Sequence, residues 1–200
     1  MSQSPANSFK ALTLAEEQIA DLDLQLLKRQ LRITETPCDT KALVSNRELK
    51  AFCSNDYLGL ANHPKIIEAL AEGAHKYGVG SGASHLISGH HIAHDLLERQ
   101  LAASQATHIP NSRALFFSTG YHANLTAITG LARLAPRGNI SIYSARLNHA
   151  SLIDGVRLAS AQSNASVTLF DHTQPERLLK DLQKDTKALK LIVTDAVFSM

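Results

Sequence analysis

Two hundred residues carry 44% hydrophobic letters, 20 Lys+Arg against 18 Asp+Glu, and only 10 Gly and 6 Pro. That composition excludes a disordered tail, a collagen-like fibre and a coiled-coil rod, and a net charge of +2 leaves no basic stripe for a nucleic-acid partner. No apolar run reaches the ~18 residues of a membrane span, and the N-terminus lacks a basic-then-apolar leader, so the expected setting is cytoplasmic, without a membrane partner.

In chain order, Leu14, Ile19, Leu22, Leu26, Leu27 and Leu31 recur at three- and four-residue steps and predict an amphipathic helix over 14–32. Cys38 and Cys53 stand outside any CxxC or Cys/His frame and read as free thiols. Two short apolar runs flank Ser45-Asn46-Arg47-Glu48, a hairpin turn. Pro64 opens a second helix that Gly78 closes. From there the pattern alternates. Helices are expected at His91–Ala103, Tyr121–Leu134, His149–Ala159 and Pro175–Lys184, and strands at Ala114–Phe117, Ile140–Tyr143, Ser166–Phe170 and Leu189–Thr194. Short β-rich runs between longer helices call for an α/β fold with a mostly parallel sheet and helices on its faces.

Four stretches could carry chemistry. Gly78-Val79-Gly80-Ser81-Gly82 contains G-x-G, but no third glycine at the fingerprint spacing and no preceding strand, so it makes a poor dinucleotide loop. Its small residues also suit a plain sharp turn. His90 and His94 stand four apart, as zinc ligands on a helix do, yet no third ligand accompanies them and no metal site is assigned. At Ser118-Thr119-Gly120-Tyr121 a strand gives way to a helix, whose first free N–H groups form a phosphate cradle; an ordinary N-cap accounts for the same letters. Asn148-His149 and Asp195 through Ser199 likewise follow strands. In an open α/β sheet those carboxyl ends share one crevice.

These letters, taken in order, resemble a known family. Ser54-Asn55-Asp56-Tyr57-Leu58-Gly59-Leu60, Ser88-Gly89, His94 with Leu97-Glu98, Ser118-Thr119-Gly120-Tyr121, Asn148-His149-Ala150-Ser151 and Thr194-Asp195 through Ser199-Met200 are similar to the α-oxoamine synthases. These are pyridoxal 5'-phosphate (PLP) enzymes of the aspartate aminotransferase fold, fold type I. The resemblance implies an N-terminal helix and hairpin segment over 1–50 and an incomplete PLP-binding large domain over 51–200. It implies a cofactor phosphate on the backbone of Gly120 and Tyr121, His149 stacked on the ring as the catalytic residue, and Asp195 and Ser199 beside the cofactor. It further implies substrate contacts from Arg29, Asn55 and His149.

The implied reaction is decarboxylative condensation of an amino acid with an acyl thioester in a cytoplasmic homodimer. His85 points to the biotin-pathway branch, which joins L-alanine to a pimeloyl thioester of CoA or acyl-carrier protein; Asp195 resembles the glycine-using 2-amino-3-ketobutyrate branch instead. By the same resemblance the Schiff-base lysine and the C-terminal domain lie beyond Met200, and Lys187 and Lys190 lack the lysine's context. The expectation is therefore an N-terminal half that is inactive and self-associating when made alone. A lysine-less scaffold subunit is the non-catalytic alternative.

Overall fold

The computed structural model describes residues 6–198. They divide into two compact units, Met1–Gly80 and Ser81–Met200. The boundary between them falls after Gly80.

In the first unit, α1 spans Ala6–Leu24. It starts and stops about two turns earlier than the leucine spacing predicts, and its end is set where the chain reverses at Leu26. The amide of Leu27 donates to the Leu22 carbonyl and that of Leu26 to the Asp23 carbonyl, with Leu26 at φ 56°. This is the paired closure that usually puts glycine in the left-handed position. A leucine there gives no stop signal in the sequence. The hairpin forms as expected, β1 Lys41–Val44 against β2 Arg47–Lys50. Its loop is tighter than foreseen: Ser45 and Asn46 both hold positive φ, 50° and 61°, the two-residue geometry that matches strand twist. Helix α2, Pro64–Tyr77, opens with proline, takes a cap from the His63 side chain and ends at Gly78 with φ 80°.

The second unit begins with a single π turn, His85–Gly89, then α3, Ile92–Gln105. Gly89 is fixed by close approach: a Cβ there would lie 2.0 Å from the Ala83 carbonyl oxygen. Helix α4 spans Gly120–Ala132, β3 Ile140–Ala145, α5 Ala150–Ser163, β4 Ser166–Phe170, α6 Pro175–Lys184 and β5 Leu189–Val193. The three strands are parallel in the order β4-β3-β5. Central β3 is buried along its whole length. Alternation sends Ile140 and Ile142 to one face, where they pack with Ile128 and Ala132 of α4, Leu152, Val156 and Ala159 of α5, and Val193. The other face carries Ser141 and Tyr143; the Tyr143 hydroxyl donates to Asp185 Oδ2 at 2.8 Å, just past α6.

Two expectations fail here. Ala114–Phe117 forms no strand and pairs with none among the described residues. The Phe116 amide instead donates to the Glu98 carboxylate of α3 at 2.8 Å. His90 also lies ahead of α3, so it shares no helix face with His94. The Nδ1 of His94 is spent accepting the His91 amide at 3.0 Å, and no group of three ligands among the described residues could hold a metal. Both cysteines are free thiols. No helix among the described residues is long and apolar enough to cross a membrane.

Candidate functional site

Going from β3 to β4 the chain moves to one side of β3, and going on to β5 it crosses to the other. The carboxyl ends of β3 and β5 therefore flank the point where strand order reverses, the usual ligand crevice of an open α/β sheet. The residues at that point are polar and bonded across the gap. Asn148, 4% exposed, donates through Nδ2 to the Val193 carbonyl at 2.8 Å and to Ser144 Oγ at 3.0 Å, and its Oδ1 accepts the Asp195 amide at 3.1 Å. Asp195 answers by accepting the His149 amide at 2.6 Å. One side-chain amide and one carboxylate thus tie the two strand ends together.

His149 is the N-cap of α5, with its Nδ1 accepting the Ser151 amide at 3.1 Å. The Ser151 hydroxyl lies 2.7 Å from the same nitrogen, and Asn124 Nδ2 of α4 donates to that hydroxyl at 2.9 Å. Tyr121 OH donates to Asp154 Oδ2 at 3.0 Å. That hydrogen bond, with burial, holds the Tyr121 phenol above its ordinary range. Helices α4 and α5 run side by side in the same direction, Asn124 beside Ser151 and Ile128 against Gly155. Their N-termini consequently lie together at the strand ends.

Thr119 caps α4, accepting the His122 amide on Oγ1 at 3.1 Å, and the first backbone bond runs from the Ala123 amide to the Thr119 carbonyl. The amides of Gly120 and Tyr121 come before that bond and find no acceptor among the described residues. A Cβ at Gly120 would meet nothing within 4 Å.

The structure brings Gly120, Tyr121, His149 and Asp195 together in the second unit. Arg29 and Asn55 belong to the first unit, and both are exposed. Ser199 lies outside the described residues. Lys187 donates to the Gly138 carbonyl at the amino ends of the strands, the opposite end of the sheet from His149. Asn148 stands out in sequence only as the neighbour of His149, and Asn124 and Ser151 do not stand out as site residues. The only signal was their adjacency to Tyr121 and His149 in the same short motifs.

Parallel strands with a switch point between β3 and β5, and two helix N-termini gathered on it, define an open α/β domain with its ligand crevice at the strand ends. The comparisons narrow this to the aspartate aminotransferase-like fold type I. The chain belongs to the aminotransferase class I and II family, whose profile matches residues 48–200. It is 49% identical over 191 residues to the 8-amino-7-oxononanoate synthase of Janthinobacterium sp. (strain Marseille), covering 96% of this chain and 46% of that protein. It is 52% identical over 188 residues to 8-amino-7-oxononanoate synthase 2 of Polaromonas sp. (strain JS666), covering 92% and 44%.

Among solved structures it is similar to the serine palmitoyltransferase of S. paucimobilis with bound PLP–myriocin aldimine (28% identity, TM-score 0.74, 99% of this chain and 47% of that one). It is likewise similar to the 8-amino-7-oxononanoate synthase of Francisella tularensis (30% identity, TM-score 0.50, 74% and 37%). The chain spans about half the length of the curated relatives it matches.

Proposed function

We propose that this chain forms the phosphate- and ring-binding half of a PLP-dependent acyltransferase of the 8-amino-7-oxononanoate synthase type. In this reading the longer protein is a cytoplasmic homodimer that condenses L-alanine with a pimeloyl thioester, of CoA or acyl-carrier protein, with loss of CO₂. The observation that carries the proposal is the convergence of two unspent amides at the start of α4 with an imidazole at the start of α5, both on the β3/β5 switch point.

The residues fit the cofactor. Gly120 and Tyr121 offer two N–H donors on a helix N-terminus, where the dipole favours a phosphate. The absence of a Cβ at Gly120 lets the anion approach the backbone. His149, held by Asp195 and Ser151, forms the wall on the neighbouring helix and orients the amino acid. Arg29, Asn55 and Ser199 complete the proposed set, the first two toward substrate and Ser199 beside the cofactor. When bound, PLP supplies an electron sink for carbanion chemistry at the amino-acid α-carbon. The names of the relatives at about half identity support the alanine- and pimeloyl-using branch.

A Schiff-base lysine in its family context is absent from these 200 residues, and the chain is proposed to be inactive by itself. Two measurements test the reading. The longer protein, given PLP, L-alanine and pimeloyl-CoA, should release free CoA and 8-amino-7-oxononanoate detectable by mass spectrometry, and CoA release should fall strongly when glycine or serine, which would give different condensation products, replaces alanine. Turnover with glycine in preference to alanine would assign it to the sibling branch. Borohydride reduction of the 200-residue chain with PLP should give no stoichiometric adduct on a single lysine; one such adduct would refute the claim of inactivity.

A further inference from the structure

We infer that Ser151, with Asn124 behind it, is a positioning residue that locks the His149 imidazole in one tautomer, with its proton on Nε2. The assignment follows from donor and acceptor capacity. A backbone N–H can only donate, and the Ser151 amide lies 3.1 Å from His149 Nδ1. Nδ1 therefore carries no proton in this arrangement, and the single proton of the neutral ring sits on Nε2. The side chains enforce the same polarity. Asn124 Nδ2 is also donor-only, and it occupies a lone pair of Ser151 Oγ at 2.9 Å. The one hydroxyl proton of Ser151 is left to turn toward Nδ1, 2.7 Å away. Ser151 is 1% exposed, so water does not compete for that proton. The chain of donors runs from α4 through Ser151 to the ring, and the Asp195 carboxylate pins the His149 backbone from the β5 side.

The chemical consequence concerns what His149 offers a ligand. Its only lone pair is already engaged by Ser151, so it cannot serve as a general base without breaking that contact. Nε2–H remains, a hydrogen-bond donor matched to an anionic oxygen such as a carboxylate or phenolate. That ligand-facing role rests on the function proposed above; the tautomer does not.

The test reads the tautomer itself. Protein labelled with ¹⁵N-histidine is sedimented, so that size and association state do not matter, and the His149 signals are isolated by subtracting the H149Q spectrum. At alkaline pH the expected native spectrum shows an unprotonated Nδ1 and a protonated Nε2. N124D replaces the donor behind Ser151 with an acceptor, which draws the serine proton away, so that Oγ can accept from Nδ1–H and only the Ser151 amide still opposes that tautomer. The His149 Nδ1 signal should then move toward the protonated range, and S151A should produce a smaller move in the same direction. Native His149 protonated on Nδ1, or signals unchanged in both variants, would overturn the inference. Should N124D not fold, the native and S151A spectra still decide. If the protein failed to bind PLP, the functional reading would fall while the tautomer assignment stood.

Discussion

Tyr143 shows how one buried group ties the sheet to its pH range. Burial first, and then the hydrogen bond to Asp185, push its phenol up to about 12 from an ordinary value of 10. Because the folded state holds this proton more tightly than the unfolded chain, the stabilisation is complete below pH ~10 and is lost as pH rises toward 12. The two-unit shift corresponds to roughly 2–3 kcal/mol across that window. Asp185 acts with the opposite sign: burial alone would raise it, but bonds from Ser141, the Lys187 amide and Tyr143 outweigh that and lower it. Its contribution is present above the ordinary carboxylate range and fades as pH falls. Denaturant midpoints between pH 9 and 12 should fall steeply for the native protein, and the Tyr143→Phe variant should lose that extra slope. An equal alkaline slope in both would mean that Tyr143 is not the group responsible. The partners of this phenol were invisible in sequence, since Asp181 and Asp185 reach it only through the β4–α6–β5 crossover.

Between elements, the α4–α5 contact decides where the two helix N-termini sit. Gly155 lies on that contact, where a Cβ would come within 2.8 Å of Ile128 Cδ1 and 3.5 Å of the Asn124 carbonyl. Alanine gains about 1 kcal/mol of helix propensity over glycine, but overpacking a buried contact costs about 1–3 kcal/mol. Ile128 is 6% exposed and has little room to turn away, so packing wins. Gly155→Ala should lower stability by about 1 kcal/mol net, and Ile128→Val, which removes the offending methyl, should make the same alanine neutral or better. Additive effects in that double-mutant cycle, measured by chemical unfolding, would show that the two residues do not meet.

Most elements of the second unit were legible because strand and helix periods alternate cleanly there and Pro175 marks the start of α6; in the first unit Pro64 and Gly78 mark the ends of α2. Where reading failed, the cause was tertiary or stereochemical. The apolar run at Ala114–Phe117 has a strand's composition but no partner strand, and Leu26 takes a left-handed conformation that its letter does not announce.

At the scale of the whole chain, the site's polar groups were legible as residues but not as a network. Gly120, Tyr121, His149 and Asp195 each follow a predicted strand; the order β4-β3-β5 gathers His149 and Asp195, while the α4–α5 contact brings the start of α4 beside them. Asn148 shares the position of His149 after a strand, but nothing in its letter tells that it bonds across to Val193 and Asp195, and Ser151, which bonds His149 and Asn124, carries no such positional signal. The central claim is that the free amides at the start of α4 hold the phosphate of PLP. Gly120 permits an unusually direct test, because it occupies the first position of the helix behind a Thr119 cap at φ −146°, ψ 151°. That position tolerates proline, and the extended residue ahead of it has the conformation proline prefers. Gly120→Pro deletes one donor but also puts carbon where the anion approaches, so Gly120→Ala, which adds a Cβ and keeps the N–H, is the control that isolates the donor. A hydrogen bond to a charged group contributes about 1.5–3 kcal/mol, or roughly 10- to 100-fold in affinity. PLP dissociation constants measured by equilibrium dialysis should be higher by about that factor in Gly120→Pro than in Gly120→Ala, with the circular dichroism of the native protein retained in both. Equal PLP affinity in the two folded variants would contradict the account.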